Sequence, residues 1–121
     1  MTEIQNKKYY DLEERTLRFA KNVRLFIKLL PKTLINIEDS KQLVRSSGSI
    51  GANYIEANES LSKKDFRMRI MICRKEAKES EYWLNLIEAG TGSLNKERLK
   101  LIDEATQLRK IFGSILEKSK V

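Results

Sequence analysis

The chain has 121 residues, 24 of them lysine or arginine against 17 acidic, with no histidine, one cysteine, one proline and a net charge of +7. Without histidine it lacks the side chain best matched to proton transfer near neutral pH and the commonest metal ligand, and a lone cysteine makes neither a cysteine-rich zinc site nor an internal disulfide. The 40% hydrophobic content suits the core of one domain over residues 1–121, while 34% charged residues exclude a membrane protein, since no apolar run approaches the ~20 needed to cross a bilayer. Met1 to Asp11 is polar without a signal-peptide apolar stretch, and with only Cys73 nothing points to an oxidising compartment, so the expected location is cytoplasmic.

The first predicted helix covers about residues 11–30 and ends at Pro31. Leu12, Thr16, Phe19, Val23, Phe26, Ile27 and Leu30 recur at three and four and share one face. Asp11 is placed to cap the start, with Glu13 and Glu14 at the positive end of the helix dipole. Arg18, Lys21 and Lys28 fall on the opposite face, with Arg24 towards its edge.

The second helix is predicted over about residues 36–58, with Leu43, Val44, Ser47, Ile50, Gly51, Tyr54 and Ile55 on its buried face. Ser46 to Ala52 is a run of small residues broken only by Ile50. Gly48 and Gly51 each weaken a helix by about 1 kcal/mol relative to alanine, which close approach of a neighbouring helix offsets; a kink near Gly48 is the alternative.

The third helix is predicted over about residues 63–89, opened by Ser62 with Asp65 three residues on in a capping-box arrangement. Phe66, Ile70, Cys73, Ala77, Leu84 and Ile87 form one stripe. Met68, Ile72 and Trp83, with Met71 and Tyr82 beside them, form a second on a different side. One apolar face is enough to pack a helix into a four-helix monomer, so the second stripe predicts burial against another subunit rather than scattered surface apolars. After Gly90-Thr91-Gly92-Ser93 the fourth helix is predicted over about residues 95–118, capped by Ser93 and lined by Leu101, Ala105, Leu108, Phe112, Ile115 and Leu116, with a tail fraying from Ser119. Short connections force antiparallel neighbours, and the predicted fold is an all-α, antiparallel up-down-up-down four-helix bundle.

The positive charge is concentrated. Residues 15–32 carry six basic side chains and no acidic one, residues 61–78 carry seven basic against Asp65 and Glu76, and residues 79–121 carry seven of each sign. Such segments are either solvated faces or an electrostatic footprint for phosphates. On the second reading the candidate contacts are Arg15, Arg18, Lys21, Arg24 and Lys28 of the first helix and Lys63, Lys64, Arg67, Arg74 and Lys78 of the third.

Other chemical candidates are weaker. Glu76 and Glu79, and Glu56 and Glu59, sit three apart, but the di-iron bundle pattern also needs histidine, so no metal or other cofactor is expected. An Arg69–Glu76 network at the bundle margin or a subunit contact is the preferred role there. Ser46, Ser47 and Ser49 have no histidine to activate them, Gly48-Ser49-Ile50-Gly51 lacks the Gly-Lys-Ser/Thr ending of a phosphate loop, and Cys73 reads as a small core residue. No catalytic residue is assigned. Lys7, Lys8, Tyr9 and Tyr10 mix basic and aromatic character, which is more simply an N-terminus packing one tyrosine than a stacking platform for bases.

Ser49-Ile50-Gly51-Ala52-Asn53-Tyr54-Ile55-Glu56-Ala57, Ser62-Lys63-Lys64-Asp65-Phe66 and the run from Arg74 to Leu84, together with Leu30-Pro31, give the chain a further meaning. In these segments it resembles the small four-helix-bundle proteins encoded in intervening sequences of bacterial 23S ribosomal RNA genes. It departs from many of them in having Gly51 where they carry proline and Ala57 where they carry glycine. The resemblance implies a left-handed antiparallel bundle assembling as a homopentamer. It also implies similarity to the accessory protein of diversity-generating retroelements, a basic pentameric barrel associated with nucleic acid and a reverse transcriptase. It supplies no catalytic residue. The expectation is therefore a non-enzymatic, self-associating bundle, with Met68, Met71, Ile72, Tyr82 and Trp83 as the interface and RNA or DNA phosphates as the partner. The alternative is a structural or adaptor oligomer that binds a protein.

Overall fold

A computed structural model describes the backbone of residues 2–120 and the side chains of residues 12–120. The readings placed on the side chains of Lys7, Lys8, Tyr9, Tyr10 and Asp11 lie outside the described residues. The described chain is helical, in four elements: α1 (Thr2–Leu29), α2 (Leu34–Asn58), α3 (Lys63–Leu86) and α4 (Ser93–Lys118). No strand occurs among the described residues. Among the described residues the backbones of α1 and α2, α2 and α3, α3 and α4, and α4 and α1 lie side by side, while the diagonal pair α2 and α4 meets through the rings of Tyr54 and Phe112, 5.9 Å apart in the core. Side-chain bonds tie Asn58 to Glu13, Arg69 to Asn53, Ser80 to Ser46 and Arg67 to the carbonyl of Leu116, contacts compatible with an up-down-up-down arrangement.

The predicted stripes meet in one core. Phe19, Val23, Phe26, Leu43, Ile50, Tyr54, Ile70, Cys73, Ala77, Leu84, Leu108 and Phe112 are all buried within it. Two small-residue contacts bring α2 close to its neighbours. An added Cβ at Gly51 would lie 2.9 Å from Thr16 Oγ1 and 3.2 Å from Thr16 Cβ, so α1 rides against α2 where that glycine stands. On the other side Ser46 and Ser80 hydroxyls pair at 3.0 Å in the interior, and the Cys73 thiol donates to the carbonyl of Ile50. The helix α2 runs unbroken through Gly48 and Gly51, which favours close approach over a kink.

The structure revises several boundaries. α1 begins at Thr2 rather than near Asp11. α2 begins at Leu34, where the Thr33 hydroxyl accepts from the Asn36 amide as its cap. The Ser62 hydroxyl accepts from the Asp65 amide, as the capping-box motif predicts. Ser93 is the first residue of α4 rather than its cap; the cap position is Gly92, at φ 84°, which glycine reaches without strain. α3 stops at Leu86, three residues early. The reason is Asn36, buried at the far end of α2: its side-chain amide donates to the carbonyls of Pro31 (3.1 Å) and Glu88 (2.9 Å), and its Oδ1 accepts from the Glu88 amide (3.0 Å). Pairing with Asn36 holds Ile87 and Glu88 out of the helix. Ile55, expected in the core, is 51% exposed, and Ala57 is buried in its place. Ser119, expected to fray, is held by Arg67, which donates to its hydroxyl and to the carbonyl of Leu116.

Candidate nucleic-acid and assembly surfaces

The ten candidate phosphate contacts divide into two groups. Arg15 is half-buried and committed to α4, with Nε and Nη2 donating to the two Glu104 carboxylate oxygens at 2.7 and 2.9 Å and Nη2 also to Gln107 at 2.7 Å. Arg67 donates to the Leu116 carbonyl and the Ser119 hydroxyl at the end of α4. Both are internal ties. The other eight (Arg18, Lys21, Arg24, Lys28, Lys63, Lys64, Arg74 and Lys78) are exposed, and none makes an ion pair among the described residues. Because α1 and α3 occupy diagonal corners of the bundle, one chain presents two separate cationic faces instead of one patch. Between α1 and α4 lies a cleft of about 480 Å³ lined by Arg15, Arg18, Asn22, Glu97, Lys100 and Glu104, which mixes both signs and offers no purely positive surface.

The second stripe of α3 is only partly exposed, because Trp83, expected on it, packs in part against the chain's own core. Met68 is 52% exposed, Met71 57% and Tyr82 58%, whereas Ile72 and Trp83 are half-buried, with Tyr82 and Trp83 in edge contact at 5.0 Å. Leu86 continues this face. Across the bundle an apolar cleft of about 260 Å³ opens between α1 and α2, lined in part by Ile27, Leu30, Pro31, Ile37 and Val44.

The network expected around Glu76 forms with a different arginine. Arg69 Nη1 donates to Asn53 Oδ1 at 3.0 Å. It is Arg45 of α2 that stands near Glu76 (3.9 Å) and Glu79 (3.6 Å), both beyond hydrogen-bonding reach. Glu76 is buried, and its Oε1 has no hydrogen-bond partner. Burial first, and then the neighbouring Glu79 charge, raise its pKa above the ordinary carboxylate value, against the opposing pull of Arg45 and Lys75. Burial likewise pushes the Cys73 thiol up to about 12, so it stays protonated and inert within the core. Among the described residues no group of three or more histidine, cysteine, aspartate or glutamate side chains is placed to hold a metal ion, and no helix is long and apolar enough to cross a membrane.

The model of the 23S rRNA-intervening sequence protein family matches residues 8–114. The chain belongs to this family. A structural relative agrees: a protein of unknown function from the S23 ribosomal protein family of Bacteroides thetaiotaomicron VPI-5482 shares 32% identity, covers 91% of this chain and 98% of its own, and superposes with a TM-score of 0.77. No curated protein matches the sequence. The match to the intervening sequence family spans the segments from Ser49 to Ala57 and from Arg74 to Leu84, which lie on α2 and α3, two helices that pack against each other.

Sequence reasoning missed Asn36, Arg45 and the unpartnered Trp83 Nε1. Asn36 carried one usable signal, a polar residue where the helix turns inward; the other two depend on tertiary placement.

Proposed function

We propose that this protein is a non-enzymatic, single-domain, up-down-up-down bundle that self-associates and binds nucleic-acid phosphates through its exposed cations, with the homopentamer as the assembled form. The observation that carries the reading is the exposed second face of α3. A free chain leaves Met68, Met71 and Tyr82 each more than half in water, while its core is already complete from the opposite stripe. Association removes that apolar surface at roughly 25 cal/mol per Å². It also places the separate cationic faces of several chains on one particle, which multiplies the attraction for a polyanion. Eight exposed cations that make no ion pair among the described residues support phosphate contacts, and the mixed polar surface around them supports binding that is tolerant of sequence.

Two measurements test the proposal. Sedimentation should give a particle near five times the 14.1 kDa chain mass at micromolar concentration. Binding to labelled single-stranded and duplex oligonucleotides should fall about a thousandfold between 50 and 200 mM salt if roughly six phosphates are contacted. A 14 kDa particle would refute the assembly, and no binding at low salt would refute the nucleic-acid partner. The exposed aromatic Tyr82 favours the alternative of a protein partner. One stoichiometric protein recovered after nuclease treatment, without salt-sensitive oligonucleotide binding, would establish that reading instead.

A further inference from the structure

Only two buried side-chain polar atoms among the described residues lack a hydrogen-bond partner, and both are on α3: Glu76 Oε1 and Trp83 Nε1. They stand two turns apart on the flank of the exposed Met68–Tyr82 stripe that faces α2. Buried polar atoms are nearly always paired, so an edge that is short of both apolar cover and hydrogen-bond partners has the character of half an interface. The charge there is also unbalanced. Glu76 and Glu79 share a single guanidinium, that of Arg45, which is too far from either to hydrogen-bond.

The complementary half is on the same molecule. Arg24 is exposed, donates only to the carbonyl of Ala20 in its own helix (3.1 Å), and has no carboxylate partner among the described residues. Its guanidinium lies across the Gly48 saddle, with Nη2 3.3 Å from the position a Cβ there would take. On α1 Arg24 precedes by about one turn Ile27, which lines the α1–α2 cleft together with Lys32 and Lys41. Gly48 of α2 is at the level of Arg45 and Ser46, which face Glu76, Glu79 and Ser80 of α3, so Arg24 and the Glu76–Glu79 pair stand at one height on either side of α2.

We propose that a second copy of this chain receives the α3 stripe in its α1–α2 cleft, with Arg24 of the receiving copy ion-paired to Glu76 and Glu79 of the inserting one. The inference rests on the self-association proposed above and names its contact. Charge fixes the register. With the two bundles parallel, Lys63 and Lys64 at the start of one stripe meet Glu56 and Glu59 at the end of the neighbour's α2. With the bundles reversed about the Arg24 contact, the same lysines overshoot the end of the neighbour's α1 and lose that pairing. The contact joins unlike surfaces, so it repeats head to tail rather than stopping at a two-fold dimer, and gives the ring proposed above when the rotation between copies closes.

The test is reciprocal charge reversal read by sedimentation velocity over a concentration series, with circular dichroism to verify that each variant is folded. Arg24→Glu and Glu79→Arg are each expected to weaken assembly about tenfold or more, and the double variant to recover to within about threefold of the unmodified protein. Both side chains reach solvent, and Glu79→Gln, a milder change, should weaken assembly in the same direction. If the unmodified chain assembles but the single reversals leave it intact, or the double variant fails to recover, the pairing is wrong and self-association stands. If the unmodified chain sediments as a monomer, both fail.

Discussion

Three helix-interior glycines, Gly48, Gly51 and Gly113, allow the packing of α2 on α1 to be measured by one substitution made in three surroundings. Changing any of them to alanine adds about 1 kcal/mol of helix propensity. At Gly113 the new methyl meets nothing within 4 Å, so the whole gain should appear as stability. At Gly48 it meets only Arg24 Nη2, at 3.3 Å, on a flexible exposed side chain that can step aside, and most of the gain should survive. At Gly51 it meets Thr16 Oγ1 at 2.9 Å and Thr16 Cβ at 3.2 Å, while Thr16 is 1% exposed and its hydroxyl donates to the Glu13 carbonyl at 3.0 Å. Ordinary carbon contacts begin near 3.5 Å, so α1 must recede by roughly half an ångström. Rotating the threonine relieves only the closer contact and gives up its hydrogen bond. Overpacking of this kind costs about 1–3 kcal/mol, which exceeds the propensity gain. Gly51→Ala should therefore destabilise by about 1 kcal/mol, whereas Gly113→Ala stabilises by about 1 kcal/mol and Gly48→Ala by slightly less. Urea denaturation followed by circular dichroism, at one fixed low protein concentration, gives the three values. A Gly51→Ala variant as stabilised as Gly113→Ala would show that the Thr16 contact does not set the distance between α1 and α2.

Asn36→Ala removes three hydrogen bonds and leaves the Glu88 amide and carbonyl without their buried partner, so it should cost about 2–4 kcal/mol in the same assay; a loss below about 0.5 kcal/mol would mean that water replaces the amide without penalty. Glu76 supplies a pH signature. Its folded pKa is raised above the ordinary 4.5, so its contribution to stability is fully present below that value and is lost as pH rises through the raised one. In dilute, dissociated protein, Glu76→Gln should thus improve in stability relative to the unmodified chain between pH 4 and pH 7, and a change in the opposite direction would contradict the burial-driven shift.

The helices were legible because burial repeats at three and four along each of them. The stripe from Phe66 to Ile87 and the separate one from Met68 to Trp83 stand out in α3 without any knowledge of its neighbours. What the sequence hid is set by partners far along the chain. Arg15 and Arg67 look like free cations until α4 brings Glu104 and the carbonyl of Leu116 to them across 89 and 49 residues. The end of α3 could not be placed because it is decided by Asn36, 52 residues earlier. Spacing alone puts Ile55 on the buried face, whereas only the position of α1 and α3 around α2 decides that it turns outward and Ala57 inward. The glutamate network was foreseen at the right carboxylate with the wrong arginine, since Arg69 was nearer in sequence and Arg45 is nearer in space.

Asn36 fastens both the α1–α2 and the α3–α4 connections at one end of the bundle, whereas the α2–α3 connection at the other end contains Leu61, 99% exposed. Spontaneous opening of the molecule accordingly has a direction, like a book bound along one edge. Amide protons near Ser60 should be lost to solvent deuterium well before that of Glu88, which Asn36 holds, and a protease should find its earliest cut beside Leu61.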